Sequence, residues 1–150
     1  MLTIRFTRLN PTHHRFEAIR TDGTIEVREF ETKSLLLHDL VHFAIESEAR
    51  LQGGFFGSLA DGLAYDAPRP GSEAMTIESV VGPLQGALKS EIDPAAFVAQ
   101  HRAMQASTGS RSPDWLTPNL IARVLERLRQ LQGQWRATPF GQTMELRFEG

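Results

Sequence analysis

Apolar and polar residues alternate at both ends of the chain and follow a helical period between them. Near the start, Leu2, Ile4 and Phe6 fall on one side of an extended chain and Thr3, Arg5 and Thr7 on the other, the pattern of a half-buried strand. Asn10-Pro11-Thr12 marks a turn, and a second strand is expected around Arg15–Arg20. Asp22-Gly23 is a short-hairpin signal, because a type I′ turn needs positive φ at both central positions. A third strand then runs over Thr24–Phe30, so the opening reads as a three-stranded antiparallel meander. Met144, Leu146 and Phe148 alternate with Glu145, Arg147 and Glu149 as a C-terminal strand, with Trp135–Ala137 as a short strand before it.

At Ser34 the period becomes that of a helix. Ser34 reads as an N-cap whose hydroxyl accepts from a free backbone N–H of the first turn. The helix is expected to reach about Leu51, where Gly53-Gly54 stops it. Phe55–Ala60 reads as one or two further turns. Asp61–Ala74, rich in proline and glycine, reads as the longest loop and the most mobile one. Thr76–Lys89 is helical in pattern, with a kink or break at Gly82-Pro83. Asp93-Pro94 caps and opens a helix ending near Gln105, and Ser107–Pro113 is a second polar loop. Thr117-Pro118 repeats the cap, with Leu116 and Ile121 as a hydrophobic staple. The helix it opens, Thr117–Gln132, carries Leu120, Ile121, Val124, Leu125, Leu128 and Leu131 on one face. Strands at both ends and helices between them predict an α+β domain spanning 1–150, with helices packed on one face of a mostly antiparallel sheet.

Composition narrows the function classes. A net charge of −2 gives no electrostatic reason to expect nucleic acid or an anionic membrane as partner. There is no cysteine, which removes disulfides and thiolate metal sites, so a metal would need His, Asp, Glu or backbone ligands. No stretch approaches the ~20 apolar residues of a membrane span, and the first residues lack the apolar core of a signal peptide. The expected location is the cytoplasm.

The candidate chemistry sits in Leu36-Leu37-His38-Asp39-Leu40-Val41-His42-Phe43-Ala44-Ile45-Glu46. On a helix, Leu36, Leu37, Leu40, Val41, Ala44 and Leu51 make one apolar face, and His38, Asp39, His42, Glu46 and Arg50 fall opposite it. His38, His42 and Glu46 are spaced i, i+4, i+8, so neighbours along that ladder reach one another. Two imidazoles one turn apart can ligate one ion, as in the H-E-x-x-H zinc motif. Glu46 offers a carboxylate ligand, and Asp39 a ligand or an outer partner. The expected ion is zinc or another divalent metal, iron or manganese if carboxylates dominate. Asp61, Asp66 and Glu73 of the long loop, His13 or His14 of the first turn, and His101 are candidates for a further ligand. His101, beside Phe97, Val98 and Met104, also reads as a half-buried structural histidine. The competing reading of the helix is an ordinary solvated face.

Three resemblances attach to this helix. Leu36-Leu37-His38-Asp39 resembles the core of the HD phosphohydrolases, where a helical His-Asp pair binds metal with a histidine from an earlier helix; here the preceding residues read as strands. His38-Asp39-x-x-His42 resembles the H-D-x-x-H motif of a metal-linked ubiquinone-biosynthesis family. That family places a glutamate after eleven intervening residues, a position held here by Gly54. Leu37–Ala49 resembles a segment of small bacterial proteins of unassigned function, which implies no activity. There is no Walker loop and no dinucleotide-binding glycine fingerprint, and the serines lack nucleophile context. Arg123, Arg127 and Arg129 read as a solvated helix face with Glu126 among them. Two readings follow: a small metal-binding domain built on His38 and His42, or a non-catalytic interaction or regulatory module, with a homo-oligomer through the sheet or an outer helix as its partner.

Overall fold

The computed structural model describes residues 1–149. Strands β1 (Leu2–Arg8), β2 (His13–Arg20) and β3 (Ile25–Glu31) form the meander, and β4 (Thr143–Phe148) returns beside β1. All pairs are antiparallel, in the order β3-β2-β1-β4. Register follows from side-chain alternation: Phe6 lies opposite Phe16 and Met144, and Ile4 opposite Ala18 and Leu146. All six of these residues are buried. A slip of one residue would turn the whole row toward water, so one register is strongly preferred. The other face carries Arg5, whose Nε donates to Glu145 Oε1 at 2.9 Å.

Five helices lie between β3 and β4: α1 (Leu35–Glu48), α2 (Phe55–Ala60), α3 (Ser72–Ala87), α4 (Pro94–Ser107) and α5 (Pro118–Arg136). Helix α1 is the hub, packing on α3, α5 and α2 and reaching β3, while α4 packs on α5. Its residues Asp39–Glu46 are all buried, so its polar face is covered by other elements. Glu48 ties it to α5 through Arg127 Nε at 2.6 Å.

Several local readings differ from expectation for identifiable reasons. Ser34 makes no side-chain cap bond; its φ of 67° points it away from the first turn. Helix α1 stops at Glu48, before the Gly53-Gly54 pair. Arg50 takes the left-handed conformation (φ 55°), and Leu51 N donates to Glu46 O at 2.9 Å, a Schellman ending with Leu51 tucked inside. Trp135 and Arg136 belong to α5, which absorbs the short strand expected at Trp135–Ala137. Helix α3 is continuous through Pro83. A proline there leaves the carbonyl of Ser79, four residues back, without its helical donor, and His101 of α4 lies beside the same residue, its Nε2 3.3 Å from Ser79 Oγ. Asp93 and Thr117 cap α4 and α5 as expected, accepting from Ala95 N and Leu120 N.

Candidate metal centre

Helices α1 and α3 bring His38, His42 and Glu78 together. One ligand atom from each lies within 4.8 Å of the other two. Gln85, two turns along α3 from Glu78, lies beside His38, so α3 runs antiparallel to this stretch of α1: His42 meets Glu78 and His38 meets Gln85.

Hydrogen bonding fixes each imidazole. Gln85 Nε2 donates to Ser34 O at 3.2 Å, which turns its Oε1 toward His38 Nδ1 at 2.9 Å. An amide oxygen only accepts, so His38 Nδ1 carries the proton and Nε2 keeps its lone pair. His42 Nδ1 lies 2.9 Å from Glu46 Oε2, and its Nε2 lies 2.8 Å from Glu78 Oε1. Carboxylates only accept, so both nitrogens of His42 donate and the ring is an imidazolium bridging α1 and α3. Burial opposes that charge, but the hydrogen bonds and charges of Glu46 and Glu78 outweigh it and hold His42 at a pKa of about 9. The same hydrogen bond from His42 pulls Glu78 below the ordinary carboxylate range.

Glu46 is fully buried and both its carboxylate oxygens are hydrogen-bonded. Beyond His42, its Oε2 accepts Phe55 N at 3.0 Å and its Oε1 accepts Phe56 N at 2.9 Å, the free N–H groups at the start of α2. Gly54 is required by this contact, since a Cβ there would fall into the Glu46 carboxylate. The glutamate that the ubiquinone-biosynthesis motif places at this position would therefore collide with Glu46. Asp39, 2% exposed, accepts the Tyr65 hydroxyl at 2.9 and 3.0 Å. Burial pushes its pKa up to about 7, against the Tyr65 bond and the His42 charge, which both lower it.

The other sequence candidates are engaged elsewhere. Glu73 Oε1 accepts Gly53 N at 2.8 Å, Asp61 pairs with Arg69 at 2.8 Å, and Asp66 with Arg28 at 3.3 Å. His13 bonds Thr12, His14 is buried beside Thr32, and His101 sits between Ser79 and Ser112. Sequence reasoning missed Glu78. Its signal was the spacing of Glu78 and Gln85, i and i+7 on a helix whose buried side is Ile77, Val80, Val81 and Leu84.

His42 and Glu78 open onto a cavity of about 570 Å³. Phe55, Pro68, Pro70, Ala74, Met75 and Ile77 supply most of its wall, with Arg69 beside them. The segment over it is anchored at several points: Arg20 donates to Leu59 O at 2.6 Å and Leu63 O at 2.9 Å, Tyr65 N donates to Glu26, and Arg69 N donates to Ser58 Oγ at 2.8 Å. Residues Ala67–Gly71 are all exposed. No helix among the described residues is long and apolar enough to cross a membrane. Comparison with protein-family models, curated proteins and solved structures found no match.

Proposed function

We propose that this chain binds one divalent metal ion through His38 Nε2, His42 Nε2 and Glu78, with the open coordination position facing the 570 Å³ cavity. The observation that carries the reading is the convergence of three ligand side chains, with both histidines oriented through Nδ1 by an outer partner, Gln85 for His38 and Glu46 for His42. Such outer partners fix ring orientation and raise ligand basicity. Ligand atoms of a tetrahedral zinc site with bonds of about 2.1 Å lie about 3.4 Å apart. In this reading the ion displaces the Nε2 proton of His42, the 2.8 Å contact between His42 and Glu78 opens, and the wider gaps, up to 4.8 Å, close as His38 and the exposed Glu78 rotate. In this reading Glu46 positions His42 and caps α2, and Asp39 holds Tyr65. A two-histidine, one-carboxylate set suits zinc, iron or manganese, and a metal with an open position acts as a Lewis acid or activates water.

The rival reading, a structural or interaction module without metal, draws support from His42 itself. Its two carboxylate partners already satisfy the ring, and the bond to Glu78 clamps α3 to α1.

The discriminating experiment is metal analysis of tag-free protein purified without chelator, followed by titration calorimetry with zinc, iron(II) and manganese(II). Stoichiometric binding in the micromolar range or tighter is expected, weakening as the pH falls because protons compete for the imidazoles. It should be lost in His38→Ala with His42→Ala and strongly reduced in Glu78→Gln. No metal in the purified protein and no micromolar binding leaves the clamp reading in its place.

A further inference from the structure

A second constellation lies on the far side of α3, away from the metal centre, and uses His101, Ser79 and Ser112. His101 is buried on α4, 4% exposed. Its Nδ1 lies 2.6 Å from Ser112 Oγ and its Nε2 3.3 Å from Ser79 Oγ. The proton positions follow from the helix. Ser79 Oγ spends its own proton on Thr76 O at 2.5 Å, so toward His101 it can only accept. That side therefore calls for a proton on Nε2. Nδ1 is left with its lone pair, and Ser112 Oγ donates to it. Burial keeps the ring neutral by pushing its pKa down.

A hydroxyl donating to the free nitrogen of a neutral histidine, whose other nitrogen is held by a fixed acceptor, has the geometry of an activated nucleophile. Ser112 is half-buried and lines a cavity of about 360 Å³ with Arg102, Ser110, Arg111 and Asp114. Among the described residues neither Arg102 nor Arg111 forms an ion pair, although Arg102 Nη2 approaches Leu116 O at 3.5 Å. Two guanidinium groups against one exposed carboxylate leave the cavity cationic and place donors near the serine.

We propose that Ser112 is a reactive nucleophile, with His101 as its base and Ser79 as its positioning residue, acting on small carboxylic esters whose acyl part carries a negative charge. In the first step Ser112 Oγ bonds to the acyl carbon and its proton passes to His101 Nδ1. As the ester C–O bond breaks, that proton passes to the leaving alcohol. A water then gives its proton to His101 and attacks the acyl-serine carbon. The acid departs and the proton returns to Ser112 Oγ.

The test treats the full chain with a fluorophosphonate probe and follows modification of each serine by peptide mass spectrometry. Ser112 should label at least about tenfold faster than Ser107 and Ser110 in the same digest, and His101→Gln should remove that excess. Equal labelling of the three serines in the wild type overturns the proposal, and this comparison decides even if His101→Gln fails to fold. A folded His101→Gln that labels as fast as wild type also overturns it. For the substrate class, p-nitrophenyl hemisuccinate should be cleaved faster than p-nitrophenyl acetate, and Arg102→Ala with Arg111→Ala should erase the difference. No difference in the wild type refutes the anionic-ester assignment.

Discussion

Glu46 Oε2 lies 2.9 Å from Nδ1 of His42, one helical turn earlier on α1, and the same carboxylate accepts the first two N–H groups of α2. One buried side chain thus orients a histidine of the candidate metal centre and joins α1 to α2. Removing it would leave His42 Nδ1 and the amides of Phe55 and Phe56 without their acceptor, with Glu78 the one carboxylate still on the ring.

Glu46→Ala should therefore cost on the order of 3–5 kcal/mol in urea unfolding, the range for breaking one side of a buried ion pair. Glu46→Gln keeps an acceptor oxygen and should cost less, yet it should weaken metal binding by roughly 10–100-fold through loss of the outer-shell carboxylate. An unfolding loss under about 1 kcal/mol for Glu46→Ala would contradict the junction.

Glycine positions offer a sharper geometric check. At Gly54 a Cβ would meet the Glu46 carboxylate, and at Gly57 it would meet the Gln52 carbonyl, which is backbone and yields less easily. Gly57→Ala should destabilise by about 1–3 kcal/mol, and Gly54→Ala should do so while also lowering metal affinity. Gly86 is exposed on α3 with nothing near its Cβ position. Gly86→Ala should raise stability by roughly 0.5–1 kcal/mol through helix propensity. Thermal or urea midpoints of the three variants give the comparison.

On α5, Leu128 is 1% exposed and Leu125 only half-buried, although both belong to the same predicted stripe. Leu128→Ala should cost about 2–5 kcal/mol, and Leu125→Ala distinctly less. Equal losses in parallel urea titrations would mean that α5 is rotated from the orientation described.

His14 supplies a pH dependence. It is fully buried among Phe6, Phe30 and Trp135, with Nδ1 3.1 Å from Thr32 Oγ1 and Nε2 without a partner among the described residues. Burial, with a smaller push from His13, lowers its pKa from 6.5 to about 4. Between those values the unfolded chain binds the proton and the folded chain does not. The stabilisation is complete above pH 6.5 and is lost as the pH falls toward about 4. The loss attributable to this residue should be on the order of 2–3 kcal/mol. His14→Phe, which suits the aromatic surroundings, should flatten that part of the acid slope in urea titrations between about pH 7 and pH 4.5. A variant with the wild-type slope would assign the acid sensitivity elsewhere.

Strands β1 to β4 and helices α4 and α5 were legible in the sequence because the strands alternate without interruption and the helix caps, Asp93 for α4 and Thr117 for α5, are local. The character of α1 was only half legible. Its polar face looks like a solvated one because Asp39, His42 and Glu46 stand opposite leucines. What covers that face comes from Tyr65, Glu78 and the amides of Phe55 and Phe56, none of which a helical wheel contains. Glu78 was hidden for a further reason. Gly82-Pro83 reads as a break, and a broken helix would not carry Glu78 and Gln85 on one face. The structure carries α3 through Pro83 as one helix, Ser72–Ala87, and so places both residues on it.

The pairing of β1 with β4 has a consequence for the order in which the molecule can assemble. Leu2 finds one neighbour at Arg20 within the first hairpin, but its other neighbour is Phe148. The meander and the helical contacts around α1 can form from nearby segments, whereas the β1–β4 ladder must close a loop that contains every helix. Such closure is entropically slow and places the ladder late in folding. During synthesis the edge of β1 that β4 covers stays open, and Leu2, Ile4 and Phe6 beside it stay less covered, until β4 has left the ribosome. Over that interval it is the surface on which a chaperone, or a neighbouring nascent chain, would settle.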